Sequence, residues 1–388
     1  MTDPAIAYTQ SLIRCRSVTP ADDGALAMVE RVLEPLGFRL TRMAFGKGDE
    51  RVENLYARRG DRDQGPVFCF AGHTDVVPPG DEAAWTHDAF AATIDDDGVL
   101  YGRGAVDMKG NIGGFLAALE RAVADGTADQ GSISLIITGD EEGLGVNGTC
   151  KVLEWMQDQG EGFDLCLVGE PTSIETLGDV MKIGRRGSLT GTLTVQGVQG
   201  HVAYPHRADN PLHPLVRLLN TLIEEPLDQG TEHFEPSTLQ LTTIDVGNPT
   251  SNVIPGQGMA VFNSRFNNRH TPETLTAEIR RRLDTVGVAY DLDIRVSAKP
   301  FLTAPGPLIQ AAREAIEQVT GITPAMTTGG GTSDARFVAD YGPVFEFGLV
   351  GDTMHQVDER VPSADLPKIA DAYHAILQQF FATAGGNP

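Results

Sequence analysis

Seven residues able to bind a metal stand at or just beyond the ends of short apolar runs. His73 and Asp75 lie in FCFAGHTDVVP, Asp107 in YGRGAVDMKGN, Glu141 and Glu142 in LIITGDEEG, Glu170 in CLVGEPTS and His355 in GDTMHQVDE. Carboxylate and imidazole together suit zinc or a similar divalent ion. The set is too large for one tetrahedral site and leaves a carboxylate over to act as a base. That arithmetic points to a two-metal hydrolase.

His73 and Asp75 are two apart, so on an extended chain their side chains share a face. Asp75 is then placed to hold the His73 imidazole in the tautomer that offers a nitrogen to a metal. A hydrogen-bonded histidine at a strand end fits the same pattern. Asp107 follows Gly102 and Gly104 and precedes Lys109-Gly110, just before a helical stretch. An N-cap aspartate reads the same way, but a carboxylate has two oxygens and can bridge two ions. Asp140-Glu141-Glu142 closes the run ISLIITG. A solvated acidic turn is the plain reading of such a triplet, yet the strand before it is too apolar for an idle surface turn. Neighbouring side chains point in different directions, so one of Glu141 and Glu142 can bind metal while the other moves a proton. Pro171 disfavours helical geometry at Glu170, where a salt bridge is the alternative. His355 sits in a Gly-Asp-Thr-Met-His loop and by itself also reads as a surface histidine.

A second group lies further along: His201 with Tyr204 and Pro205, Asn252 in SNVIP, Arg265 in NSRF, and the doublet Arg185-Arg186. Arg185 and Arg265 beside strands are candidates for forked recognition of a carboxylate. Solvated surface charge is the alternative. His201 is a candidate donor to a developing oxyanion, or a histidine satisfied within its own domain.

The elements that must position these residues change style along the chain. Up to about residue 182, helices such as ALAMVERVLEPL and GGFLAALERAVAD alternate with the strands NLYARRG, VFCFAGHTD, SISLIITGD and LCLVGEP. Short, continuously apolar strands interleaved with helices predict a doubly wound α/β layer with a mostly parallel buried sheet. Ligands in such sheets bind beyond the carboxyl ends of the strands, where His73, Glu141 and Glu170 fall. From 183 to 297 the strands SLTGTLTVQGVQ, TLQLTTIDVG, GMAVFNSRF and YDLDIRVS alternate apolar and polar residues, as a sheet with one wet face should. HPLVRLLNTLI and PETLTAEIRRRLDTVG supply helical cover. This stretch reads as an inserted α+β domain. From 298 to 388 the first style returns, with a helix, the Gly-rich TTGGGTSDAR, a strand and a last helix. Since His355 lies there, residues 1–182 and 298–388 are expected to form one discontinuous domain.

With 30 basic against 53 acidic residues the formal charge is −23, which argues against nucleic acid and anionic membranes as partners. The N-terminus shows no secretory signal pattern, and no apolar run approaches the ~20 residues of a membrane-spanning helix. Cys15, Cys69, Cys150 and Cys166 are scattered without a CxxC pair. Free thiols in a reducing compartment, the cytoplasm, are the expectation.

GHTDVVP, GRGAVDMKG, TGDEEG, GEPT and the late His355 occur in the order found in the M20 metallopeptidase family, which the chain resembles over essentially its whole length. The resemblance implies a zinc-exopeptidase-like catalytic domain with an inserted lid and dimerisation domain, hence a homodimer. It implies two divalent ions, zinc first, with cobalt or manganese possible. Asp107 would bridge them, His73 and Glu170 would complete one shell, and Glu142 and His355 the other. Glu141 would be the general base and Asp75 would orient His73. The Asp107–Met108 peptide is expected to be cis, and His201 to reach the partner subunit's active site. Arg185, Ser188, Tyr204, Asn252, Arg265 and Thr332 would contact a small substrate, and the paired arginines fit a dicarboxylic amide. Another amidohydrolase of the family or a dimetal aminopeptidase shares this chemistry. A non-catalytic binding protein with a structural metal is the reading from a different class, but a closed structural site needs no spare base beside its ligands.

Overall fold

The computed structural model describes residues 2–61, 63 and 65–385. The chain divides into two compact units, Met1–Ile183 with Thr303–Thr327 and Ser333–Pro388, and Gly184–Leu302 with Thr328–Thr332.

The first unit is built on an eight-stranded sheet. Its order is Arg39–Phe45, Val52–Arg59, Ser132–Thr138, Val67–His73, Leu165–Val168, Val344–Glu346, Val180–Lys182 and Ala325–Thr327. The strands from Ser132–Thr138 to Val344–Glu346 run parallel, as does the last pair, and three pairings are antiparallel. Val67–His73 and Ser132–Thr138 are buried at every residue. Both faces of the sheet are therefore covered, which is why these strands are apolar throughout instead of alternating. Helices Pro4–Ile13, Lys109–Ala124, Asp365–Gly385 and Pro307–Thr320 pack in succession. Phe70 stacks on Phe115 at 4.0 Å, with Tyr373 edge-on to both. Removing a buried ring such as Phe115 would cost about 3–5 kcal/mol.

The register sets where the candidate ligands leave the sheet. His73 lies opposite Thr138, and Ala71 opposite Val168. The carboxyl ends of three central strands thus stop at one level, and residues 73, 141–142 and 170 emerge beside one another. The Asp107–Met108 peptide is cis.

Elements beyond the sequence reading include helices Pro4–Ile13 and Thr149–Asp158 and strands Arg39–Phe45, Val180–Lys182 and Ala325–Thr327. The helix expected over ALAMVERVLEPL spans Ala25–Leu33, behind Gly24 at φ 87°.

The second unit has a four-stranded antiparallel sheet in the order Thr238–Asp245, Gln257–Phe266, Gly187–Gln196 and Asp291–Ala298. Along Gln257–Phe266 burial alternates residue by residue. The inward positions, including Leu189, Leu193 and Phe262, share a core with Leu215 and Leu218 of helix Leu212–Ile223 and Leu275 and Ile279 of helix Pro272–Asp284. The unit extends past residue 297 because Phe301–Leu302 pairs with Gly184–Arg185. It takes in residues 328–332 because Thr328 Oγ1 donates to His233 O (2.6 Å) and Arg185 Nη1 to Gly331 O (3.1 Å). No helix among the described residues is long and apolar enough to cross a membrane. The four cysteines are free, Cys69 and Cys166 being buried.

Candidate metal centre

The first unit gathers His73, Asp107, Glu142, Glu170 and His355 at the carboxyl end of its sheet. His73 Nε2 lies 3.2 Å from Asp107 Oδ1 and 4.0 Å from Glu170 Oε1. His355 Nε2 lies 3.2 Å from Asp107 Oδ2 and 2.7 Å from Glu142 Oε1. Ligand atoms of His73, Asp107 and Glu142 all fall within 4.8 Å of one another. Asp107 therefore turns one oxygen to each imidazole, the arrangement a bridging carboxylate requires.

The residues fit a cation by a simple test. His73 Nδ1 is 2.9 Å from the main-chain oxygen of Asp75. A proton on Nδ1 leaves Nε2 as a bare lone pair. That lone pair faces a carboxylate oxygen, both atoms are buried, and neither completes a hydrogen bond among the described residues. Two buried acceptors in such proximity repel unless a positive charge, a proton on Nε2 or a metal ion in its place, lies between them.

Like charges crowd the site. Burial pushes the Glu141 carboxyl up to about 8, with Asp334, Glu142 and Asp107 adding to the effect and His73 opposing it. Burial also drives Glu170 well above its ordinary value, helped by Asp107 and Glu141. Contacts to Asp107 and Glu142 carry His355 up to about 10. For Asp107 burial works upward, but His355 and His73 outweigh it and hold the carboxyl low. A dication at this place would offset the crowding directly and displace the proton from His355.

The job expected of the Asp75 carboxylate falls to another atom of the same residue. It is the main-chain oxygen that takes the His73 Nδ1 proton, while Asp75 Oδ1 is 3.6 Å from that nitrogen. The carboxylate instead accepts from the N–H groups of Glu141 (3.3 Å) and Glu142 (3.1 Å). A loop residue between two buried strands has no ladder to supply acceptors, so its amides must find a side chain. Asp140, buried beside them, accepts from the amides of Leu144, Val146 and Asn147 and fixes the rest of that loop.

Sequence reasoning missed Glu359. Its carboxylate is fully buried and accepts from the amides of Gly104, Val106 and Asp107 and from Arg103 Nη1. Gly104 has φ 84°, and a Cβ there would meet Val76 and Lys109 at 2.9 Å, so only glycine suits this turn. Nothing in DERV separates Glu359 from an ordinary solvated acid.

The remaining predicted residues belong to the second unit and form two groups within it. Gly200–His201 pairs with Val253–Ile254, and Val202 N–H donates to Asn252 O (3.0 Å). The exposed His201 ring lies 5.5 Å from Tyr204 and accepts from Ala203 N–H through Nδ1. Ser188 and Arg265 face each other on paired strands, with Arg265 Nε donating to Asn263 Oδ1 (3.2 Å). Arg185 is buried and donates to the Gly-rich loop that carries Thr332.

The profile described as peptidase family M20/M25/M40 matches residues 69–379. The chain is 58% identical over 385 residues to a protein from Rhodospirillum centenum named succinyl-diaminopimelate desuccinylase, covering 99% of both. Its fold is similar to that of an aminopeptidase from Bacillus cereus, with a TM-score of 0.78 at 18% identity over 97% of this chain and 98% of the other. It is also similar to a dinuclear metal binding peptidase of the M20 family from Bacillus subtilis, with a TM-score of 0.68 at 15% identity over 98% of each chain.

Proposed function

The chain belongs to peptidase family M20/M25/M40, and on that footing we propose that it hydrolyses N-succinyl-LL-2,6-diaminopimelate to succinate and LL-2,6-diaminopimelate, a step of lysine and diaminopimelate biosynthesis in the cytoplasm. One observation carries the metal-dependent chemistry: ligand atoms of His73, Asp107 and Glu142 lie within 4.8 Å of one another, and Asp107 turns one oxygen to His73 and the other to His355. The choice of substrate is supported by the relative of that name, 58% identical over 99% of both chains.

His73 and Glu170 are assigned to one divalent ion, Glu142 and His355 to a second, and Asp107 to both. Zinc is the first choice, with cobalt or manganese as alternatives. Such ions, when bound, supply charge that acidifies water and polarises the scissile carbonyl. Glu141 takes the proton of the attacking water on its carboxylate and returns it to the amide nitrogen as the amine departs. Burial and the neighbouring carboxylates raise its hold on a proton in the metal-free protein, and the charge of bound ions would lower it again, freeing the carboxylate to act as a base. The Asp75 carboxylate holds the main chain of Glu141 and Glu142, and its carbonyl holds His73. His201 is assigned as donor to the carbonyl oxygen as charge develops there, and Arg185, Ser188, Tyr204, Asn252, Arg265 and Thr332 as substrate contacts. A homodimer formed through the second unit, with His201 serving the neighbouring subunit, completes the reading.

The test is a panel of succinyl-diaminopimelate, acetylornithine and simple dipeptides with metal-loaded enzyme. The first should be the preferred substrate by kcat/KM. Preference for either of the others overturns the substrate and leaves the chemistry in place.

A further inference from the structure

We propose that Glu359, acting with Arg103, is a positioning residue that locks the loop of Asp107 to the loop of His355 and so sets the affinity of one side of the metal centre. The inference rests on the two-metal reading above.

Residues 103–107 form a turn whose amides find no partner in a helix or a strand. Three of them, from Gly104, Val106 and Asp107, converge on one point and make a small anion-binding concavity. A ligand fills such a nest in many proteins. Here the chain fills it from within. Glu359 Oε2 accepts from Gly104 N–H (3.1 Å) and Arg103 Nη1 (2.7 Å), and Oε1 from Val106 N–H (3.0 Å) and Asp107 N–H (3.2 Å). All four lone-pair sites of the carboxylate are then occupied, so Glu359 has none left for an ion and acts only through what it holds.

What it holds is the geometry of two ligands. Gly102 N–H donates to Glu359 O (2.9 Å), and Arg360–Pro362 pairs with Val99–Tyr101. Arg103 Nη2 lies 3.4 Å from both His355 O and Pro78 O, with its guanidinium over Trp85 at 5.4 Å. The backbone of Asp107 and the backbone of His355 are thus tied to one buried ion pair, on which the 3.2 Å approach of Asp107 Oδ2 to His355 Nε2 depends. His73, at the end of a fully buried strand, is positioned without this pair.

The clamp predicts a one-sided defect. In Glu359→Gln the amide keeps the shape but turns a donor towards amides or guanidinium that are donors themselves. Replacing a group that orients metal ligands in this way typically costs about 10–100-fold in metal affinity. The metal-free protein and both variants, Glu359→Gln and Arg103→Lys, are titrated with cobalt(II), followed by visible absorption and calorimetry, and assayed at rising metal concentration. The expected result is two ions in the wild type. In Glu359→Gln the ion on the His355 side should be weakened about 10–100-fold and the other, which shares only Asp107 with the clamp, distinctly less, with kcat restored by excess metal and KM unaltered. Arg103→Lys, which keeps the charge but loses the fork, should show a smaller shift of the same kind and decides the matter if Glu359→Gln does not fold. Folded variants that bind both ions as the wild type does overturn the clamp, as does equal weakening of both ions. A wild type that takes up fewer than two ions overturns the two-metal reading itself, and the clamp with it.

Discussion

The candidate centre has two halves that the fold holds by different means. His73 and Glu170 stand at the ends of buried parallel strands, and His73 is 2% exposed. Glu142 and His355 stand on loops, and the His355 side chain is 48% exposed with φ 63°. A strand end inherits its position from the hydrogen-bond ladder and the packed core, and needs little else. A loop has neither. Its ligands are set instead by buried carboxylates that accept its amides: Asp75 and Asp140 for the Glu142 loop, Glu359 for the Asp107 turn and its link to His355. Carboxylates do two jobs in one small volume, binding in some places and anchoring in others.

The comparison is broken most directly by removing one imidazole from each half. His73→Ala should abolish measurable turnover and cost the strand-held ion, whereas His355→Ala should lose the loop-held ion and retain the other. Metal stoichiometry on the purified variants checks this, and identical losses would erase the distinction. Glu141 belongs to neither half. Glu141→Gln should lower kcat by about 10²–10⁴ with both ions retained, so kinetics and metal analysis on one sample separate a base from a ligand.

Asp75 touches both halves through different atoms, which makes it the sharpest probe. Asp75→Asn keeps the carbonyl that takes the His73 proton but sets an amide against the Glu141 and Glu142 N–H groups. A loss of about 10–100-fold should therefore appear at the loop-held ion alone. Failure of the strand-held ion in that variant would return to the carboxylate the role in orienting His73.

The mildest effect concerns pH. His355 is raised to about 10, so it carries a proton at neutral pH that a metal must displace. Below that value proton and metal compete, and affinity rises with pH by on the order of tenfold per unit for each proton displaced. Calorimetry in buffers of different ionisation enthalpy counts the protons released. None released, with both ions bound, would mean that His355 is not a ligand.

How legible these features are in the sequence depends on what holds them. His73, Glu141 and Glu170 announce themselves because each ends or succeeds a run apolar enough to identify a buried strand. The alternation in Gln257–Phe266 shows a half-wet sheet as plainly. Helix Pro4–Ile13 carries only the signal Asp3-Pro4, an N-cap before a first-turn proline, which is local and easily passed over. Glu359 gives no signal at all. Its function exists only once a turn 252 residues earlier has pointed its amides inward, and no periodicity encodes that. The spacing of His73 and Asp75 identifies the pair but not the contacting atom, because it tells which side chains share a face and not which oxygen a ring nitrogen meets. Arg185 reads as a strand-side arginine; its burial against Gly331 O depends on a loop from far along the chain.

The place of strand Val344–Glu346 has a consequence for how the protein is made. It lies inside the main sheet, flanked by Leu165–Val168 and Val180–Lys182. A chain emerging from the ribosome must therefore carry an incomplete sheet, with the edge of Leu165–Val168 unpaired, through the synthesis of more than a hundred further residues. Such an edge invites association with other chains. Glu170, just beyond that edge, waits beside it, so the strand-held half cannot settle before the loop-held half has been synthesised.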